Sequence, residues 1–128
     1  MRAYRRYPVS LDAVLITPEG REVAASVADL SLGGAGIQTR EDVSQLKVFV
    51  LEVIEPGWEF RCECAVRHVT ELWTSSVIHA QFLDDDSDGR IHQIVDSLSL
   101  KANSGVVIPI GERRLLKFMR RVFPRKVA

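Results

Sequence analysis

The amino-acid sequence predicts a mainly β protein, an antiparallel barrel or sandwich of six strands followed by one helix. Six strand-like runs follow one another at short intervals within the first 83 residues. Groups of Pro and Gly separate several of these runs, and a helical period of 3.6 residues appears after the sixth. Short connections of this kind favour antiparallel pairing between neighbouring strands.

The predicted strands are rich in Val, Ile and Leu, and most of them alternate between apolar and polar residues. Thr17-Pro18-Glu19-Gly20 has the composition of a tight turn and predicts a hairpin between the first two. In the fifth strand, alternation assigns Cys62, Cys64 and His68 to one apolar face, so all three are predicted to lie in the core. The six strands span Val9–Ile16, Glu22–Ala28, Ala35–Thr39, Leu46–Ile54, Trp58–Thr70 and Ser76–Leu83.

A helix is predicted after the sixth strand, because Ile91, Ile94, Val95 and Leu98 recur at the spacing of one helix face. The acidic run at residues 84–88 precedes it, where carboxylates cap a helix and interact favourably with its dipole. Counted from Asp84, the run does not match an EF-hand loop, because Val95 occupies the twelfth position, where that loop requires a glutamate. We therefore interpret it as a helix cap and not as a cation site.

A second helix is predicted beyond a break at Ala102-Asn103-Ser104-Gly105, and Pro124 ends it. Its apolar and basic residues gather on opposite sides, so it is strongly amphipathic. Three hypotheses remain open for the apolar face: packing on the barrel or on a second copy of the chain, docking onto a partner protein, or peripheral contact with an anionic membrane. Nucleic acid is not an expected partner, since the basic face carries no interleaved aromatic residues.

Composition supports one domain, at residues 1–101, with an extension at 102–128. The formal net charge of zero hides an asymmetry, because three arginines lie in the first six residues and eight Lys or Arg in residues 101–128. Residues 7–100 carry 6 basic and 16 acidic residues. The sequence has neither an apolar run of about 18 residues nor the apolar core of a signal peptide, so a cytoplasmic location is expected.

Two short motifs carry the functional prediction. The first, Asp29-Leu30-Ser31-Leu32-Gly33-Gly34, places an acid, a hydroxyl and two glycines in a turn between the second and third strands. The second is the pair Arg2 and Arg6, in RxxxR spacing, directly before the first strand. Together, RxxxR running into YPVSL and DxSxxG in DLSLGG resemble the PilZ domain family. The resemblance covers roughly Arg2 to Leu100, and it implies a bacterial six-stranded barrel followed by a helix.

The resemblance further implies that the two motifs bind the second messenger cyclic di-GMP. Arginine suits this ligand because its guanidinium forms bidentate hydrogen bonds with phosphate or with the guanine acceptor edge, and it can also stack on a base. By motif position, Arg2 and Arg6 would hold phosphate and guanine, with Arg5 as an additional cation. Asp29 would accept hydrogen bonds from the guanine N–H groups, Ser31 would bond to the same base, and Gly33 and Gly34 would let the turn close against it.

One position departs from the pattern of this family. Family members often carry a small residue, commonly glycine, three positions before the phenylalanine of the last strand, close to the bound guanine. This chain has His79 three positions before Phe82. A histidine there either stacks on the base or crowds it.

Enzymatic activity is not expected, because the three histidines are scattered and no acid–base constellation is evident. We predict no catalytic residue, no metal site and no cofactor. The predicted function is a cyclic di-GMP receptor whose N-terminal arm folds over the ligand and changes the surface presented to a protein partner. The C-terminal helix is the candidate for relaying that change or for self-association. The alternative is a PilZ-type adaptor that acts through protein–protein contacts without the nucleotide.

Overall fold

The computed structural model describes residues 4–84, 86 and 89–103 of the 128-residue chain. The elements are β1 (Tyr7–Ile16), β2 (Glu22–Leu30), β3 (Gly34–Thr39), β4 (Val48–Val53), β5 (Phe60–Glu71), β6 (Ser76–Phe82) and α1 (Arg90–Asn103). All strand pairs are antiparallel, in the order β1-β2-β3-β6-β5-β4, and β4 pairs with β1 to close a barrel. The predicted fold class is therefore confirmed, as a barrel and not a sandwich.

The core forms because alternate residues of each strand point into the barrel. Along β1, Val9, Leu11, Ala13 and Leu15 point inward and are at most 3% exposed. Corresponding residues of the other strands join them in one cluster, and removing this apolar surface from water is the main stabilising term. The predicted turn between β1 and β2 is confirmed, since the Gly20 N–H donates to the Thr17 carbonyl at 2.8 Å and Gly20 has φ of 90°.

Helix α1 packs against the barrel with the predicted face. Its four predicted apolar residues are buried and belong to the same cluster as Phe60 of β5. The Arg90 guanidinium fixes the start of the helix by donating to the carbonyls of Glu59 at 2.8 Å and Gly57 at 2.9 Å. The helix continues to Asn103, slightly beyond the break predicted at Ala102. Among the described residues, no helix is both long and apolar enough to span a membrane.

The predicted C-terminal helix, between Gly111 and Pro124, lies outside the described residues. The same is true of the predicted contacts of its apolar face with a partner protein, a second copy or a membrane. These assignments remain predictions from the sequence.

The predicted helix cap is confirmed for Asp86. Its carboxylate accepts the backbone N–H groups of Ile91 at 3.0 Å and His92 at 2.8 Å, and it contacts the His92 Nδ1 at 2.5 Å. Partial burial raises the pKa of Asp86, but the hydrogen bonds from His92 and Ile91 outweigh it and leave that pKa below its ordinary value of 3.8. The ionised carboxylate is therefore the form that stabilises the start of α1.

The stability that the Asp86 cap contributes should therefore depend on pH. We expect Asp86→Ala to lower the free energy of unfolding at pH 7 by about 1 kcal/mol, the usual value of a helix cap. Because the folded-state pKa is depressed, the stabilisation is fully present above the unfolded pKa and is lost as the pH falls through the folded value. Urea unfolding of both proteins across acidic pH measures this, and Asp96→Ala, which removes an exposed carboxylate of α1, is the control. The prediction would be wrong if the difference in free energy of unfolding between the wild type and Asp86→Ala were as large at the lowest pH as at pH 7.

The structure corrects one assignment in β5. Cys62 and Cys64 are buried as predicted, at 2% and 0% exposed. A register shift between Val66 and His68 then interrupts the alternation. Because such a bulge inserts one extra residue, His68 lies on the exposed outer face and not in the core as predicted.

Candidate functional site

Residues 4–6 are the described part of the N-terminal arm, which precedes β1. This arm and the turn after β2 meet on the outer surface of the barrel. The pairing of β1 with β2 places Tyr7 opposite Leu30 and Pro8 opposite Asp29. Arg6, one residue before β1, consequently lies beside Asp29, and its Nη1 is 3.4 Å from Oδ1 of the carboxylate. Both side chains are a little over a quarter exposed. The structure thus brings together one predicted residue from each motif.

Asp29 is held in place by the neighbouring strand. In the β2–β3 register it lies opposite Gly36, whose N–H donates to Asp29 Oδ1 at 3.1 Å. A Cβ atom at Gly36 would lie 2.4 Å from Asp29 Oδ2, so the carboxylate rests directly over the glycine. Sequence analysis did not assign Gly36 to the site, although its position on the same face as Asp29 becomes evident once β2 and β3 are aligned.

The hydroxyl of Ser31 is used within the turn itself. Its Oγ accepts the N–H groups of Gly33 and Gly34, both at 3.2 Å, and donates to the Gly34 carbonyl at 3.3 Å. Ser31 is only 6% exposed. The structure therefore places Ser31 beneath the surface that Arg6 and Asp29 share, where it fixes the shape of the turn.

The two predicted turn glycines are required by close packing. A Cβ at Gly33 would lie 2.7 Å from the Tyr4 ring, and a Cβ at Gly34 would lie 2.1 Å from the Ala80 carbonyl oxygen of β6. Neither glycine has positive φ, so the requirement here is steric and not conformational. Tyr4, which sequence analysis did not assign to the site, covers Gly33 and anchors the arm on the turn.

Arg5 is placed differently from Arg6. The Arg5 guanidinium lies over the Tyr7 ring, 5.0 Å from its centroid, in a cation–π arrangement. Arg2 lies outside the described residues, so its assignment to the site remains a prediction. Among the described arginines of the arm, Arg6 lies beside the turn.

Four residues continue the outer surface as a row across neighbouring strands. Asp29 of β2 lies opposite Gly36 of β3, Gly36 opposite His79 of β6, and His79 opposite His68 of β5. Residues paired in this way point to the same side of a sheet. The row has Arg6 and Asp29 at one end, Gly36 in the middle beneath the Asp29 carboxylate, and two imidazoles at the other end.

This surface can bind an anionic ligand that carries hydrogen-bond donors. Arg6 supplies a cation with several N–H donors, and Asp29 supplies carboxylate acceptors 3.4 Å away. Within the part of the chain that the structure describes, no three His, Cys, Asp or Glu side chains group as a metal site requires.

Comparison with known proteins gives a family match and several structural matches. A family model described as "PilZ domain" matches residues 1–99. The fold is similar to the PilZ domain of YcgR from Escherichia coli, solved with c-di-GMP, at a TM-score of 0.67 and 19% identity, covering 81% of this chain and 95% of that one. It is also similar to the K. pneumonia MrkH–c-di-GMP complex, at a TM-score of 0.65 and 21% identity, covering 80% of this chain and 53% of that one. Comparison with curated proteins finds no match.

Proposed function

Because the chain belongs to the PilZ domain family, we propose that it is a receptor for cyclic di-GMP. The ligand would bind on the outer face of the barrel, beside the turn that follows β2. The observation that carries this proposal is the 3.4 Å approach of Arg6 to Asp29, which joins the two motifs at one surface. Cyclic di-GMP combines phosphates with guanine N–H donors, and these two residues have the complementary chemistry.

Binding would exchange partners within the Arg6–Asp29 pair. The guanidinium of Arg6 turns to a phosphate or to the guanine acceptor edge, while the Asp29 carboxylate accepts the guanine N–H groups. A partly exposed ion pair contributes at most about 1 kcal/mol, so separating it costs little. The hydrogen bond from the Gly36 N–H continues to orient Asp29 during the exchange.

The other predicted residues take supporting roles in this proposal. Ser31 holds the turn in shape, because its hydroxyl already bonds within the turn. Gly33 gives the Tyr4 ring room to dock, and Gly34 lets β3 approach β6. Arg2 and Arg5 provide further cations at the same end of the arm.

The proposed output is recognition by a protein partner and not catalysis. Tyr4 and Arg6 contact the turn, so the surface change would come from the re-pairing of Arg6 and Asp29 and from the arm that carries Arg6. The C-terminal extension is the proposed relay to the partner. A cytoplasmic location belongs to the same proposal.

Isothermal titration calorimetry with cyclic di-GMP tests the function. We expect saturable binding by the wild type and at least tenfold weaker binding by Arg6→Ala, because a charge-assisted contact to the ligand is lost. Arg61→Ala is the matched control, since Arg61 makes an exposed ion pair with Glu52 elsewhere on the barrel, at 2.9 Å. Absence of saturable binding by the wild type would contradict the proposal and favour the nucleotide-independent adaptor.

A further inference from the structure

The outer side of β4 is apolar although it lies on the barrel surface. Its outward residues Val48 and Val50, and Ile54 directly after the strand, adjoin the outward residues Val14 and Ile16 of β1. These five residues are called the β1–β4 face below. Val48 and Ile54 are 46% and 49% exposed, so the described residues leave about half of each side chain uncovered. A strand that is apolar on both sides is typical of one that is covered on both sides.

Acidic residues flank the β1–β4 face. Ile16 pairs with Glu22 of β2 on one side and with Val50 on the other, and Val50 pairs with Glu63 of β5. This row across four strands therefore has two apolar residues in the middle and an exposed glutamate at each end. Within residues 4–84, 86 and 89–103, neither of these two glutamates makes an ion pair. With adjacent strands about 4.8 Å apart, their backbones are separated by roughly 14 Å.

We propose that the β1–β4 face is the docking surface for the C-terminal extension of the same chain, which binds it through a helix at residues 112–123. The sequence of this segment has the complementary pattern. Its apolar residues follow the i, i+3, i+4, i+7 spacing by which an amphipathic helix packs on an apolar surface. They are Leu115, Phe118, Met119 and Val122.

The charges of the segment match those of the barrel surface. At about 100° per residue, Arg114 and Arg121 border one edge of the apolar stripe and Arg120 borders the other. A helix with its side chains is about 10–12 Å wide, so it fits between Glu22 and Glu63 with a guanidinium group toward each carboxylate. Exposed ion pairs contribute little to affinity, so apolar burial stabilises the docked helix and the charges orient it.

Helix α1 ends close to this face. The Lys101 Nζ lies 5.1 Å from the centroid of the Trp58 ring, and Trp58 belongs to the connection between β4 and β5. The last turn of α1 is therefore beside the end of β4 at which Ile54 is exposed. Residues 104–111 can span up to about 26 Å when extended. A helix at residues 112–123 would be about 18 Å long, close to the roughly 20 Å length of β4.

Docking at the β1–β4 face leaves the nucleotide site open. In the closed barrel β4 is opposite β3, which carries Gly36, and Arg6 precedes the other end of β1. The inference therefore goes beyond the proposed function and does not depend on nucleotide binding.

Hydrogen exchange of the full 128-residue chain, measured by mass spectrometry without nucleotide, tests the docking. We expect the amides of residues 112–123 to exchange about tenfold faster in Val50→Lys than in the wild type, because a charge in the centre of the face opposes apolar contact. Val77→Lys is the matched control, since it places the same charge on the outer face of β6. Its exchange at residues 112–123 should stay within threefold of the wild type.

A second variant combines Glu22→Lys with Glu63→Lys, which repel the basic edges of the segment without altering the apolar residues. We expect exchange at residues 112–123 to be at least threefold faster than in the wild type. Both glutamates are exposed, so this variant decides the test if the melting temperature shows that Val50→Lys does not fold.

The inference would be overturned if residues 112–123 exchanged at the same rate in the wild type and in the folded variants of the β1–β4 face and its flanking glutamates. Equally fast exchange would mean that the segment is not docked, and equally slow exchange that it is docked elsewhere. Protection that increases with protein concentration would assign the face to the segment of a second copy and would overturn docking within one chain. Protection that is independent of concentration and is retained in Val77→Lys is the expected result.

Discussion

Replacing Asp29 with alanine should weaken cyclic di-GMP binding by at least 100-fold while the barrel stays folded. The carboxylate is the proposed acceptor for the guanine N–H groups, and its loss leaves those donors without their acceptor. Hydrogen bonds to a charged group contribute about 1.5–3 kcal/mol each, and every 1.4 kcal/mol is a factor of ten in affinity. Two such bonds account for the expected loss.

Calorimetry of wild type and Asp29→Ala measures the effect, with melting temperatures as the check on folding. We expect the melting temperature to change little, because Asp29 is on the outer face and its partner Gly36 N–H is at a partly exposed site. Glu52→Ala is a matched control that also breaks an exposed ion pair, with Arg61. Binding by Asp29→Ala within threefold of the wild type would contradict the assignment of Asp29 to the ligand.

Substituting Gly34 with alanine is expected to lower the free energy of unfolding by about 3 kcal/mol or more, or to prevent folding. The new Cβ would lie 2.1 Å from the Ala80 carbonyl oxygen and 3.4 Å from the Gln81 Cα. These are backbone atoms of β6, so relief requires β3 and β6 to separate. That movement would also strain the hydrogen bond from the Phe82 N–H to the Gly33 carbonyl.

Gly36→Ala is the informative comparison for Gly34→Ala. Its Cβ would meet the Asp29 carboxylate, which is the end of a side chain and can turn away. We therefore expect a smaller loss of stability, about 1 kcal/mol, together with a loss of ligand affinity as Asp29 is displaced. Urea unfolding and calorimetry of both variants measure this. Equal stability of Gly34→Ala and the wild type would show that the β3–β6 approach is not tight.

Much of the fold could be predicted from the sequence because strand patterns are local. The sequence predicts each of the six strands to within two residues of its observed ends, because the alternation of inward and outward residues is a local property of the sequence. The contact of Arg6 with Asp29 also follows from local information. A hairpin between β1 and β2 brings the start of one strand beside the end of the other.

The remainder of the site depends on pairings that local patterns do not determine. Gly36 and His79 share a row because β3 pairs with β6, which lies about 40 residues further along the chain. His68 joins that row because a bulge shifts the register of β5 by one residue. The alternation of residues in β5 does not predict this bulge. The turn glycines were expected to serve the ligand, but Gly34 is in contact with a neighbouring strand, which only the assembled sheet reveals.

Closure of the sheet restricts how the proposed receptor could contact a protein partner. Each of the six described strands has a hydrogen-bonded neighbour on both sides, so none of them offers the exposed edge on which another protein's strand could be added. The partner recognition that we propose would therefore use side chains on the outer faces or residues outside the strands. Strand addition tolerates many partner sequences because it uses backbone hydrogen bonds, whereas side-chain contacts depend on particular residues of both proteins.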